Sequence, residues 1–388
     1  PPPLLPPSPL NLLLLVWSLT FLLSVLVTAD PLLTLSKTTN LLLGIAVWRF
    51  LARHVQTKQQ ATWAIWGFLI LGAALTFVGL LGTNWLSKVP LIRNVVQQFG
   101  QQLIVLPEAD ASGVHTNQLA ATIILFWPLL ISLFFGKRWV RWSTIVWIGT
   151  GLTAVFATLV LIFTQSRSSW IGAICSLGLM LLLWERSLAN AQRRRRMLRW
   201  GLAIFATAII AIVTIIGPST IQTWWIEPPA DSAIGSLSSL NLRQELWPWA
   251  ITAVYDFPFT GVGLGSFRQV VLRLYPFNAA TGINFSHAHN IFLQVALDFG
   301  VIGLISYVGL LIGVGRMGWQ MMRDDPKKRP FVIGLLGGLV ALHIYGLADT
   351  LAPGSKPAIL FWYNIGLINA LFLLPNSAAN AIIPPCSS

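Results

Sequence analysis

Two of the 388 residues are cysteine, Cys175 inside an apolar run and Cys386 near the end, too few and too far apart for a disulfide framework or a thiolate metal site. Acidic side chains are scarce as well: 12 Asp and Glu stand against 25 Lys and Arg, for a net charge of +13, and charged residues make up only 10% of the chain. So little charge, with 55% hydrophobic residues and a mean hydropathy of +0.72, excludes an ordinary soluble domain and marks an integral membrane protein. No repeat of fixed period is evident, and no polar interval carries a core pattern of its own. Residues 1–388 therefore read as a single transmembrane domain, with 218–289 as a large outer loop and 83–116 as a smaller one.

What is abundant is the long apolar run. A spanning helix needs about 20 predominantly apolar residues, and ten segments qualify, centred on 10–29, 36–52, 62–82, 117–135, 143–163, 168–184, 199–217, 290–315, 331–349 and 358–374. The second is the weakest, because Lys37 and Asn40 interrupt it. The runs are continuously apolar rather than alternating, which favours helices over a barrel, so the expected fold class is all-α and polytopic. The opening PPPLLPPSPL has no positive charge and no initiating Met, so the first run is expected to be a true span rather than a signal peptide.

The basic residues fall in short clusters between the runs instead of along one polar face, which argues against nucleic acid as a partner. Arg49, Arg53 and Lys58 form one cluster; Lys137, Arg138 and Arg141 a second; Arg186, Arg193–Arg196 and Arg199 a third; Arg316, Arg323 and Lys327–Arg329 a fourth. With ten spans all four fall on one side, which the positive-inside rule makes cytoplasmic, together with both termini. Arg167, Arg243, His287, His289, Asp349 and Lys356 then gather at the opposite, outer face.

Ionisable groups at a membrane boundary are costly to desolvate and seldom idle. Arg167, in TQSRSSWIG, has almost no loop to solvate it, and its planar fork suits phosphate oxygens, although snorkelling to lipid headgroups is the simpler role. Arg243 lies on a helix expected from Leu240 to Tyr255, capped by Ser238 or Ser239 and resting its apolar side (Leu242, Leu246, Trp249, Ala250, Ala253) on the membrane surface. Glu245, two positions on, cannot face Arg243, which leaves the arginine for an external anion or for solvent. Arg268 and Arg273 follow downstream as supplements or headgroup contacts. GVGLGSF (261–267) has no preceding strand and no βαβ context, so it is a tight turn rather than a dinucleotide fingerprint. His287 and His289, before Asn290, form an H-x-H pair with no carboxylate at ligand spacing; proton transfer fits better than metal binding, and helix capping with Asn290 is the bland alternative. Asp349 and Lys356 flank a short turn and are expected to pair with each other, with a role near the site as the alternative.

These residues resemble the O-antigen ligase and polymerase family of membrane glycosyltransferases. The resemblance rests on HTNQLAATIILFWPL (115–129), TQSRSSWIG (164–172), LRQELWPWAITAVYDFPFTGVGLGSF (242–267), HAHNIFLQVALDFGVIGL (287–304) and DTLAPGSKPAILFW (349–362), over the C-terminal two-thirds of the chain. It implies transfer of a glycan from an undecaprenyl-diphosphate carrier to an acceptor hydroxyl of a lipid, glycan or protein, at the outer face of the bacterial plasma membrane, without cofactor or metal. Arg167 and Arg243 would hold the diphosphate, His289 would activate the acceptor, and His287, Asn290, Asp349 and Lys356 would support them. His115 and Thr116 stand where the family often has a small residue and Pro, so His115 inherits no role. Direct displacement implies inversion at the anomeric carbon. A transporter of inorganic carbon or another small solute is the alternative, and a noncatalytic scaffold of envelope assembly a third; charges at one face and the lack of a repeat weigh against transport.

Overall fold

The computed structural model describes residues 8–83, 85, 114–136, 143–186, 199, 238–276 and 285–375. Among these, eleven α-helices succeed one another: α1 (Asn11–Leu26), α2 (Pro31–His54), α3 (Lys58–Gly82), α4 (Thr116–Phe135), α5 (Thr144–Phe163), α6 (Arg167–Arg186), α7 (Ser238–Asp256), α8 (Phe267–Leu274), α9 (Ile291–Asp324), α10 (Arg329–Tyr345) and α11 (Ile359–Leu373). A 3₁₀ turn, Lys356–Ala358, leads into α11. The chain is an all-α polytopic membrane protein: six of its described helices are long and apolar enough to cross a bilayer, and α1 and α10 are shorter apolar helices. Nine of the ten expected spans coincide with described helices; the remaining one, 199–217, lies outside the described residues apart from Arg199, as does most of the expected loop at 83–116.

The helix boundaries follow local chemistry. Thr57 and Gln60 form a reciprocal capping box at the start of α3, Asp30 caps α2 through Leu33 N, and Asn290 caps α9 by accepting from Phe292 N and Leu293 N. Helix α4 is the packing centre, with 78% of its apolar window buried, whereas α5 and α6 bury only 28% of theirs and present the rest outward. It contacts α10, which also packs on α6, while α11 lies along α2 and α1 along α9. A contiguous apolar core runs through these helices, from Trp17, Leu41 and Phe68 to Phe126, Tyr345 and Trp362.

Three expectations change. Helix α7 starts at Ser238, and its apolar side does not rest on lipid: Leu246, Ala250 and Ala253 are fully buried in a second core with Val262, Phe267, Val271, Phe285, Ala288 and Leu297. The helix is short of charge on that side because protein covers it. Helix α10 ends at Tyr345, four residues before the expected end of its span, since the turn closed by Asp349 N on Tyr345 O takes over. Helix α9 runs nine residues beyond the expected 315 and is broken at Gly300 (φ 74°, ψ 178°).

The break explains the glycine-rich turn. Loop 258–265 docks into it, with Val262 N donating to Leu297 O at 2.7 Å and Val301 N donating to Pro258 O at 2.7 Å, so backbone groups freed by the kink are satisfied by protein. Gly261 has φ +66°, and a Cβ there would collide with Leu297 O. The expected tight turn is thus present, and its close neighbour is α9. Replacing Gly261 with Val forces both a left-handed backbone and this clash, and should cost about 2 kcal/mol or more. The expected readout is a melting temperature in detergent several degrees below wild type; an unchanged value would mean that the loop does not hold the kink.

Candidate functional site

The site is assembled from five helix ends. Asp349 leaves the C-terminal end of α10; His287 and His289 precede α9; Asn117 lies in the first turn of α4; and Arg167 opens α6. Arg243 comes from the first turns of α7. Asp349, whose side chain is 4% exposed, joins them: its Oδ1 accepts from His289 Nδ1 at 3.1 Å and Thr350 N at 2.9 Å, and its Oδ2 accepts from Asn117 Nδ2 at 2.7 Å. His287 Nε2 stands 3.9 Å from the same Oδ1, too far for a hydrogen bond. Arg243 Nε donates to Ala348 O at 2.7 Å, so its guanidinium is fixed against the residue preceding Asp349. Arg167 lies within electrostatic reach of Arg243, and Tyr345 lies beside both Asp349 and Arg243.

The histidine loop is held from two sides. Ala288 N donates to Gln294 Oε1 at 2.9 Å, and Trp247 Nε1 donates to Ala288 O at 2.9 Å. Because Trp247 is one turn on from Arg243, α7 sets the guanidinium and the histidine loop as one unit. His289 itself has φ +49°, a left-handed conformation unusual outside glycine. Gln165, two residues before Arg167, has φ +52°. Strained backbone of this kind concentrates at functional positions.

The protonation states follow from the contacts. Burial would raise the Asp349 pKa, but the hydrogen bond from His289, the nearby imidazoles and the Thr350 N–H outweigh it and hold the carboxyl below the usual carboxylate range. An ionised Asp349 fixes the proton of His289 on Nδ1 and leaves Nε2 as its basic atom. His287 accepts from His289 N through Nδ1 at 3.3 Å, which puts its own proton on Nε2. Burial, then repulsion by His289, pushes His287 down to about 3, so it is neutral at physiological pH. Burial also lowers the Arg243 pKa, although a guanidinium keeps its charge in proteins.

Of the residues expected from sequence, Arg167, Arg243, His287, His289 and Asp349 come together, and Asn290 backs them by capping α9 and donating from Nδ2 to Leu347 O. Lys356 does not pair with Asp349: it is exposed on the 3₁₀ turn, while Asp349 faces the histidines. Arg268 and Arg273 are exposed on α8. Asn117, Trp247 and Gln294 went unrecognised. Asn117 lies between Thr116 and Gln118 in a polar first turn of α4 and looks like an ordinary helix-start residue; the other two look like interface and helix residues until the loop they hold is seen. His115 caps α4 with its ring, Nδ1 accepting from Asn117 N at 3.2 Å. The H-x-H pair was set aside as a metal site for want of a carboxylate, yet the fold supplies one: ligand atoms of His287, His289 and Asp349 all lie within 4.8 Å of one another. The direct His289–Asp349 hydrogen bond and the adjacent Arg243 suit a hydrogen-bonded dyad better than a cation.

Comparison with known proteins gives three matches. Residues 152–308 match the family model described as O-Antigen ligase, a stretch that contains Arg167, Arg243, His287 and His289. The chain is 27% identical over 153 residues to a ComP-specific O-oligosaccharyltransferase of Acinetobacter baylyi, covering 39% of this chain and 25% of that protein. It is 24% identical over 230 residues to the exopolysaccharide production protein ExoQ of Rhizobium meliloti, covering 57% of this chain and 50% of that one. The chain thus spans a quarter to half the length of these curated relatives, and the resemblance to the O-antigen ligase family seen in the motifs is supported by all three matches.

The lowered pKa of His287 has a definite sign for stability. Its folded pKa, about 3, lies below the unfolded value of about 6.5, so the unfolded chain binds the proton first and stability falls as pH drops from about 6.5 towards 3. Asp349, titrating lower still, stays ionised through this window. His287→Gln should make the decline of melting temperature across pH 6.5 to 4 shallower; an identical slope would place the acid-sensitive group elsewhere.

Proposed function

We propose that the protein is a glycosyltransferase of the O-antigen ligase type, which moves a glycan from an undecaprenyl-diphosphate carrier to an acceptor hydroxyl at the outer face of the bacterial plasma membrane. The observation that carries this reading is the convergence of an oriented His289–Asp349 dyad with two guanidiniums at one layer of helix ends. Named relatives that act in oligosaccharide transfer and exopolysaccharide production support the substrate class. In this reading the four basic clusters and both termini are cytoplasmic.

The chemistry balances without a cofactor. The acceptor hydroxyl oxygen attacks the anomeric carbon as the bond from that carbon to the diphosphate oxygen breaks and its electron pair leaves with the lipid diphosphate. The hydroxyl proton passes to His289 Nε2, and the imidazolium so formed is stabilised by Asp349. Negative charge grows on the departing diphosphate, where Arg167 and Arg243 favour the transition state over the ground state. A single displacement of this kind inverts the anomeric configuration. His287, neutral and leaning on His289, keeps a second positive charge away from the base. The acceptor, whether lipid, glycan or protein, is chosen by outer segments, and the separation of ligase from polymerase lies there. Transport of a small solute is the competing reading, and free undecaprenyl diphosphate released only when an acceptor is supplied would set it aside.

The reconstituted protein, given undecaprenyl-diphosphate glycan and candidate acceptors, should release undecaprenyl diphosphate and form product of inverted configuration. His289→Ala should remove turnover by a hundredfold to ten-thousandfold with carrier binding retained, and Asp349→Asn should lower kcat by roughly a hundredfold. Arg167→Ala and Arg243→Ala should each cost about a hundredfold or more and weaken carrier binding too. Turnover unchanged in the His289 variant would remove the base from the mechanism. Treatment with a metal chelator should leave the rate unchanged; loss of activity restored by a divalent cation would turn the His287–His289–Asp349 cluster into a metal site.

A further inference from the structure

Lys37 is the charged residue among those that interrupt the apolar pattern at the start of α2, and nothing in the proposed reaction yet uses it. It sits in the second turn of the helix, half-buried, at the end of the bundle that carries the site. The fold makes room for it deliberately. Gly265 has φ +79°, and a Cβ there would lie 2.7 to 2.9 Å from Lys37 Cδ, Nζ and Cε, while a Cβ on Gly354 would come within 3.0 Å of Lys37 O. Gly265, from the loop docked on α9, thus lies against the lysine stem, and Gly354, from the turn after α10, against its backbone.

Its surroundings are polar but do not complete it. Asp298, fully buried in α9, accepts through Oδ1 from Gly265 N at 3.0 Å and from Gln294 Nε2 at 2.9 Å, and its Oδ2 has no partner among the described residues. The charge of Lys37 is felt at Asp298 and at His287, yet among the described residues the ammonium makes neither a hydrogen bond nor an ion pair with any side chain. A half-buried cation at a membrane boundary that is held in place but not paired is expensive unless an anion completes it. Arg243 counts Asp349, Tyr345 and Arg167 as its electrostatic neighbours, whereas Lys37 lies on the His287 side with His115. Lys37 and Arg243 thus reach the His287–His289–Asp349 cluster through different members, Lys37 through His287 and Arg243 through Asp349.

Resting on the carrier-binding reading above, we infer that Lys37 is a third cationic ligand of the donor diphosphate, receiving phosphate oxygens on the His287 side of the site. A diphosphate has two phosphoryl groups to hold, and guanidiniums gathered on the Asp349 side leave the other flank for a point charge such as an ammonium. Asp298 lies within electrostatic reach of Lys37 but is not its salt-bridge partner.

Binding of undecaprenyl diphosphate and the donor KM, measured on full-length protein in detergent or nanodiscs, decide the matter. Lys37→Gln should raise both the Kd for undecaprenyl diphosphate and the donor KM roughly tenfold, the loss of one charge-assisted hydrogen bond, with the acceptor KM unchanged. Lys37→Arg should restore most of the affinity, which also controls for folding. The double variant Lys37→Gln with Asp298→Asn should bind as weakly as Lys37→Gln alone. Recovery of wild-type affinity in the double variant would overturn the inference, since Lys37 would then only neutralise Asp298, and so would a rise confined to the acceptor KM. If Lys37→Gln binds normally while Arg243→Ala does not, this inference alone falls; if both bind normally, the diphosphate reading of the whole site falls with it.

Discussion

The Asp349 carboxylate is the point on which the site depends. It is buried at the end of α10, so its charge is tolerable only if nearby donors answer it, and they come from three places: the imidazole of His289, the amide of Asn117 and the backbone of Thr350. Each of these bonds also ties an element, so the first turn of α4, the loop before α9 and the turn after α10 cannot move independently without leaving an ionised oxygen unanswered. Truncating one partner of a buried charge is costly for this reason, more so than the net worth of any one bond. The same constraint sets the chemistry, because an ionised Asp349 decides which nitrogen of His289 carries the proton.

A second constraint is backbone geometry. The break in α9 at Gly300 lets the loop that follows α7 enter the bundle, and the loop in turn satisfies the amide and carbonyl that the break exposes. Through Gly265 and Asp298 this loop reaches Gln294, and through Gln294 it reaches Ala288 between the two histidines. The left-handed backbone at His289 is thus over-determined by Trp247 on one side and Gln294 on the other. Rigid support of that kind would keep the imidazole proposed as base within the narrow range of positions that proton transfer tolerates.

The membrane architecture was legible because it rests on composition and run length, which are local. Every described span follows an apolar run, and the boundaries sit at recognisable caps such as Thr57 and Asn290. Arg167, Arg243 and His289 stood out for a related reason: a charged group beside an apolar run is conspicuous in one dimension. Partnership was not legible. Asp349 and Lys356 are seven positions apart and look like a pair, but a helix end and a 3₁₀ turn point them in different directions, and the true partner of Asp349 lies sixty residues earlier. The apolar side of α7 was read as lipid-facing because burial by lipid and burial by protein select the same residues; only the second core under Leu246 and Ala250 tells them apart. Asp298, inside a run scored as a span, is invisible to any average over a window.

Charge balance across the site links these features to the proposed reaction. Before substrate arrives, two guanidiniums and a lysine ammonium stand around one ionised carboxylate and two imidazoles, one of which burial keeps neutral. The excess is positive and sits at the end of a bundle where water is limited, so it is worth more than the same charges in solution. In the proposed reaction an incoming lipid diphosphate meets that excess directly, and His287, neutral, adds no further positive charge beside the base. Once the acceptor proton has moved to His289, the new imidazolium faces Asp349, and the two charges created by the reaction, one on the imidazole and one on the departing diphosphate, each find an opposite charge already in position. Binding and catalysis then draw on the same fixed groups, and little reorganisation is needed between them.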